Sequence, residues 1–208
     1  MDYYVTITIM NETPSVAQPL RTKLRVQRQF MQLIGTNIRT FDANDQLICF
    51  AKAKAFKLRE EITFYKDEAK TTPLFTAKAR NIIDFSPTFD MFDPSGVLFG
   101  SLKREGMMST FAQDHWFILD KDGQQIGDII EDSLMLGVIR RHIELVAYFI
   151  PQTYSVKFGA VEVAEITQRK NPFLVKYDYE IDTEVWQKNE LLCLAISSLL
   201  AVVEARQN

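Results

Sequence analysis

Two hydrophobic patterns divide this chain. Through most of its length apolar and polar residues alternate in short runs, the period of a strand with one face buried. Near the end, Leu191 to Val203 runs LLCLAISSLLAVV, with nothing more polar than Ser197 and Ser198. No Gly, Pro or charge interrupts that run, so it predicts a helix apolar on nearly every side. Such a helix must be enclosed by lipid or by protein. Thirteen residues at ~1.5 Å each cover roughly 20 Å, short of the ~30 Å hydrocarbon layer. The length therefore predicts burial inside the protein and no transmembrane span.

Tyr3, Val5, Ile7 and Ile9 alternate with Tyr4, Thr6 and Thr8, which predicts a first strand over Tyr3 to Met10. The following NETPSVAQP carries Pro14 and Pro19 and reads as a linker. Residues 1–23 are thus expected to be an appendage, and residues 24–208 the main domain. The appendage could add to a sheet edge of a second subunit, giving a dimer through Tyr3 to Met10.

The main domain repeats itself. Asp93-Pro-Ser-Gly96-Val-Leu-Phe-Gly100 and Asp120-Lys-Asp-Gly123-Gln-Gln-Ile-Gly127 share D-x-x-G-x-x-x-G at an offset of 27 residues. β-prone runs flank each copy. A weaker copy surrounds Asp42-Ala-Asn-Asp45, and a looser one Lys66-Asp67-Glu68. Asp and Asn tie side chains to the backbone at tight turns, and Gly96 and Gly123 can take positive φ there. Gly100 and Gly127 fall inside strands, where glycine signals a bulge or a close backbone approach.

Further strands are expected at Ser133 to Ile139, Ile143 to Ile150, Thr153 to Phe158 and Ala160 to Thr167. Phe173 to Ile181 alternates cleanly, and Asp182 or Thr183 can cap the helix leading into the apolar run. About a dozen strands and one apolar helix predict a mainly β (α+β) fold. A closed antiparallel barrel of about 12 strands around the C-terminal helix satisfies both, since the strands lose their edges and the helix gains an apolar surround. Cys49, Ala51, Ala53 and Ala55 would supply a small-residue wall facing that helix.

Composition narrows the function. A formal charge of −3 gives no global drive toward nucleic acid, so no nucleic-acid partner is expected. The 2 cysteines and 2 histidines are separated along the chain, which leaves no conventional zinc spacing and no disulfide framework. Buried free thiols and an N-terminus unlike a signal peptide suit a cytoplasmic protein. The chain carries no G-x-S-x-G, P-loop or H-E-x-x-H motif, so it is not expected to be an enzyme, and neither cofactor nor metal is expected.

The series FDANDQLICFAKAKAF, FDPSGVLFGSLKRE and WFILDKDGQQIGDIIED, followed by YDYEIDTE and the apolar helix, resembles the LURP-one-related family. That family groups with tubby C-terminal domains and phospholipid scramblases. The resemblance covers roughly Leu24 to Glu204 and implies a 12-stranded barrel around a C-terminal helix. It also implies a non-enzymatic binding module, with a phospholipid or phosphoinositide headgroup or a protein as partner.

In tubby domains a strand Lys-x-Arg pair contributes to the headgroup site. Lys78-Ala-Arg80 has that spacing here, and Lys52, Lys54, Lys103 and Arg104 on neighbouring hairpins are candidate companions. A solvated strand face would carry the same residues. Scramblases carry an acidic segment before the terminal helix. Here Asp178, Glu180, Asp182 and Glu184 are expected to serve as a wet strand face and a helix cap. Asp120, Asp122, Gln124, Asp128 and Glu131 stand at EF-hand offsets, but Gln125 occupies the place of the bend glycine, so a hairpin turn is predicted. A scramblase-like membrane activity and a structural role of the N-terminal strand are the alternatives.

Overall fold

Alternating side chains, punctuated by Asp-led turns, build one ring of strands. The computed structural model describes residues 20–31, 35–53, 61–80, 87–106, 115–132, 151–170 and 174–203. Within them lie β1 (Arg21–Met31), β2 (Gly35–Phe41), β3 (Leu47–Ala53), β4 (Ile62–Tyr65), β5 (Pro73–Ala79) and β6 (Thr88–Phe92). The ring continues through β7 (Leu98–Arg104), β8 (His115–Leu119), β9 (Gln125–Glu131), β10 (Gln152–Phe158), β11 (Val161–Lys170) and β12 (Leu174–Asp182). Each strand pairs antiparallel with its neighbours in sequence, and β1 closes the barrel on β12. Strand β1 begins at Arg21, slightly before the expected start at Leu24. Tyr3 to Met10, Ser133 to Ile139, Ile143 to Ile150 and Ala55 lie outside the described residues.

Four hairpins repeat one device. Asp42, Asp93 and Asp120 each accept two backbone N–H groups through Oδ1, from Asn44 and Gln46, from Ser95 and Val97, and from Asp122 and Gln124, at 2.8–2.9 Å. Asp67 does the same more loosely, accepting from the Thr71 N–H at 3.3 Å and the Thr71 hydroxyl at 2.6 Å. Three residues after each Asp the backbone turns to positive φ, at Asp45 (59°), Lys70 (61°), Gly96 (84°) and Gly123 (80°). The weaker copies thus keep the turn geometry without glycine, which Asp tolerates better than Lys.

Each of these hairpins then slips register by one residue. The slip leaves Ile48, Leu74, Phe99 and Ile126 without a cross-strand partner, and all four pack, partly buried, on the core. A bulge at the same place in four hairpins bends the sheet in the same sense, which favours closure. The two strand glycines make room. A Cβ on Gly100 would come within 3.0 Å of both the Leu119 carbonyl oxygen and Leu192 Cδ1, and one on Gly127 would overlap the Lys157 carbonyl oxygen.

The apolar run fills the ring. Asp182 caps α1 (Thr183–Lys188) by accepting from the Glu184 and Val185 N–H groups. The single helix expected here is two, because Asn189 breaks it: its N–H and side-chain amide turn back onto α1 carbonyls while its own carbonyl accepts from Cys193. Helix α2 (Glu190–Val203) follows, with every residue from Cys193 to Val203 buried. It packs against β1, β2, β3 and, opposite them, β7. Cys49 and Ala51 line its bed on β3 as the small-residue pattern predicted.

Polar contacts with the barrel wall also guide α2. Ser198 Oγ lies 2.8 Å from Thr40 Oγ1, the Tyr179 hydroxyl donates to the Ser197 carbonyl at 3.0 Å, and Arg28 Nη1 donates to the Ala201 carbonyl at 3.2 Å. Arg28 follows Leu24 and Val26 on the inner face and is 2% exposed. Its cation meets the carbonyl end of the helix, the favourable end for positive charge. Odd strands start, and α2 enters, at one end of the barrel, here the turn end. Arg28 and the C-terminus of α2 lie at the other, the loop end.

Candidate functional site

Of the six cations singled out in the sequence, the five described ones, Lys52, Lys78, Arg80, Lys103 and Arg104, fall on β3, β5 and β7 or just beyond, toward the loop end. Lys54 lies outside the described residues. Lys52 and Lys103 point outward, are exposed, and hold no ion pair among the described residues. Strand alternation alone dictates their direction, since Ala51 and Leu102 beside them are buried.

Lys78 and Arg80, also outward, are already engaged. Lys78 Nζ sits 2.6 Å from Glu61 Oε2. Arg80 grips Asp90 in a fork, Nε to Oδ2 at 2.9 Å and Nη2 to Oδ1 at 2.5 Å, and the Ser101 hydroxyl donates to the same carboxylate at 2.7 Å. That fork holds the guanidinium above its ordinary pKa, mainly through the Asp90 hydrogen bonds, with partial burial opposing and the Asp90 charge adding to the rise. The Lys-x-Arg pair is therefore largely neutralised in place.

Arg104 departs from the expected grouping. It pairs across the sheet with Trp116 and shares the inner face with Leu102, its guanidinium 5.8 Å from the Trp116 ring centroid. Lys103 and Arg104 thus serve opposite faces, as adjacent strand residues must. The outward candidates Lys52 on β3, Lys78 and Arg80 at the end of β5, and Lys103 on β7 share the outer face, each strand separated from the next by one other.

The counter-ions were not visible as such in the sequence. Glu61 and Asp90 act through strand register, Asp90 lying opposite Lys78 and Ser101. His115 is clamped likewise, Nδ1 at 2.8 Å from Glu105 Oε2 and Nε2 at 3.4 Å from Asp128 Oδ2. The acidic alternation before the helix finds cationic neighbours or a cap: Asp178 meets Arg25 and Arg169, Glu180 meets Lys23, and Asp182 caps α1. The Asp120 segment is the hairpin turn that was expected. No group of three or more metal-ligating side chains gathers among the described residues.

Cys49 and Cys193 are free and buried. Burial pushes both thiols up to about 12, with a hydrogen bond to Ser198 slightly opposing the shift at Cys49. At neutral pH they are inert as nucleophiles.

A ring of Asp-led hairpins with a buried terminal helix is the arrangement that the sequence resemblance implied. The family model for LURP-one-related proteins matches residues 47–188. The chain belongs to the LURP-one-related family. The match spans β3 to α1, so the strands that close the ring, β1 and β2, and the helix that fills it stand outside the matched residues. No curated protein matches the chain. No helix among the described residues is long and apolar enough to cross a membrane.

Proposed function

We propose that this LURP-one-related chain is a non-catalytic cytoplasmic binding module that takes an anionic phospholipid headgroup at the loop end of its barrel. The observation that carries this reading is the row of outward cations on β3, β5 and β7, with Lys52 and Lys103 free of ion pairs among the described residues. Lys78 and Arg80 stand between them, held by Glu61 and Asp90. An anionic lipid surface can meet both free lysines at once, and a multiply charged headgroup seated between them can share the partnered Lys78 and Arg80 through hydrogen bonds.

Burial of α2 favours a surface mode over insertion. Exposing Cys193 to Val203 to lipid would empty the barrel, so a scramblase-like use of this helix would require loss of the fold. A phosphoinositide is favoured over a singly charged lipid because the cations are spread over three strands, each alternate pair roughly 9–10 Å apart.

The test is flotation of the full chain with vesicles of zwitterionic lipid alone, with phosphatidylserine, and with a phosphoinositide, at low and at physiological salt. Binding should require anionic lipid, be strongest with the phosphoinositide and weaken with salt. Replacing Lys52 and Lys103 together by Gln should weaken it by about 2 kcal/mol, on the order of thirtyfold. Absence of flotation at low salt would overturn the lipid reading and leave a protein partner as the next candidate.

A further inference from the structure

A second feature lies at the opposite end of the barrel. A groove of about 340 Å³ is bounded by residues 20–24 at the start of β1, by Asp42, Ala43 and Asn44 of the β2–β3 turn, and by Thr183 and Trp186 of α1. Leu24 is buried there, Trp186 is partly buried, and Leu20 on the rim is 77% exposed. Isolated surface leucines need no explanation, but Leu20 and Trp186 border one concavity. The groove is also held in shape. The Thr183 N–H donates to the Leu20 carbonyl at 2.9 Å, and the Thr22 and Thr183 hydroxyls lie 3.1 Å apart.

From these contacts we infer that the groove is the seat of the chain's own segment Tyr3 to Ile9. Residues 1–19 join the groove directly at Leu20, so the occupant is tethered to its rim. The nine residues Asn11 to Pro19 can extend to roughly 30 Å, ample for the chain to double back. Tethering over so short a distance gives an effective concentration in the millimolar range, so modest complementarity suffices to seat the segment. Tyr3, Val5, Ile7 and Ile9 supply an apolar edge with the periodicity that an elongated groove accepts.

Charge agrees. Residues 1–19 contain Asp2 and Glu12 and no Lys or Arg, while the groove wall carries two cations, Arg21 and Lys23, against one carboxylate, Asp42. Strand addition is the weaker alternative, because β1 is already paired on both sides, by β12 and β2, and the ring leaves no edge strand among the described residues. The segment therefore docks by its side chains. This inference does not depend on the lipid reading of the loop end.

Disulfide trapping in the full chain tests it. The native thiols of Cys49 and Cys193 are buried, so new cysteines report alone under native conditions. Ile7→Cys combined with Ala43→Cys, and Val5→Cys combined with Ala43→Cys, should close an intramolecular bond on mild oxidation. They should do so on the order of tenfold faster than the pairs with Thr6→Cys or Thr8→Cys, whose side chains alternate away. Equal rates across the four pairs would overturn the proposal, as would disulfide-linked dimers, which would place the segment on a second copy. A trap-free check uses Ile7→Asp, which should shift the tryptophan emission to longer wavelength as Trp186 becomes wetter. An unchanged spectrum would count against the seat.

Discussion

At the turn end of the barrel, four hairpins satisfy their backbone with an aspartate, turn through one positive-φ residue and leave one bulged apolar side chain on the core. At the loop end the described strands stop at exposed lysines on the outer face and at buried polar groups on the inner one. There Glu131 accepts from the Gln152 amide at 3.0 Å, Gln168 donates to the Tyr177 hydroxyl at 2.7 Å, and Arg28 meets the last turn of α2. Among the described residues, one end is fixed by local turn chemistry and the other by long-range contacts. The division suits a binding module, because a surface that meets a ligand can vary while the turns and the helix hold the ring shut.

The largest test of this division lies in α2, which both ends share. Leu199 is fully buried, so Leu199→Asp should abolish folding, leaving no cooperative thermal transition by circular dichroism. Leu199→Ala should fold and lose about 2–5 kcal/mol in urea denaturation. A soluble, cooperatively folded Leu199→Asp would mean that the helix does not fill the barrel.

Next come two glycines that matter for different reasons. Gly127→Ala forces a Cβ against the Lys157 carbonyl and the Phe158 ring, so it should cost roughly 1–3 kcal/mol by disturbing the β9–β10 pairing. Gly123→Ala meets no atom but must hold φ at +80°, which should cost about 1 kcal/mol. Chemical denaturation of the two variants would rank them. The reverse change, Lys70→Gly, relieves a non-glycine held at φ 61° and should stabilise by ~0.5 kcal/mol once the looser unfolded chain is counted.

Acid should weaken the turn end by a smaller amount. Asp93 sits below its usual pKa, through the Ser95 hydroxyl first and then the Val97 N–H and other backbone donors. Glu68 is lowered mainly by its hydrogen bond from Arg39. A carboxylate depressed in the native state contributes stability above its unfolded pKa, ~3.9 for Asp and ~4.3 for Glu, and loses it as pH falls through the lowered native value. Thermal midpoints of Asp93→Asn should therefore fall less steeply below about pH 4 than those of the unsubstituted chain. Parallel curves would remove Asp93 from the set of turn anchors.

The contrast also explains what could be read in advance. Turn chemistry is local, so Asp93, Asp120, Gly96 and Gly123 announced their hairpins, and even the copies lacking glycine at Asp45 and Lys70 kept enough flanking pattern to be seen. Alternation placed Val175, Tyr177, Tyr179 and Ile181 on the buried face, and the length and apolarity of the last run placed it in the core. The bulges at Ile48, Leu74, Phe99 and Ile126 were hidden, since one slipped residue barely changes a short pattern. The break at Asn189 was hidden too, because Asn is an unremarkable helix residue until its side chain turns back on Val185.

Site geometry was legible only in part. Period two could have separated Lys103 from Arg104 and set Arg28 inside with Leu24 and Val26. The neutralisation of Lys78 by Glu61 and of Arg80 by Asp90 could not be read, because it depends on which strands lie side by side and in what register.

The central claim is that the terminal apolar helix is the core of the barrel while recognition belongs to surface cations. Cys193 on α2 reports on it directly. Its thiol should react with a thiol reagent only as fast as the whole chain unfolds, and adding phosphoinositide vesicles that bind the protein should leave that rate unchanged or slow it. Fast labelling of Cys193 in the folded chain, or labelling that accelerates on vesicles, would show the helix leaving the barrel and would contradict the account.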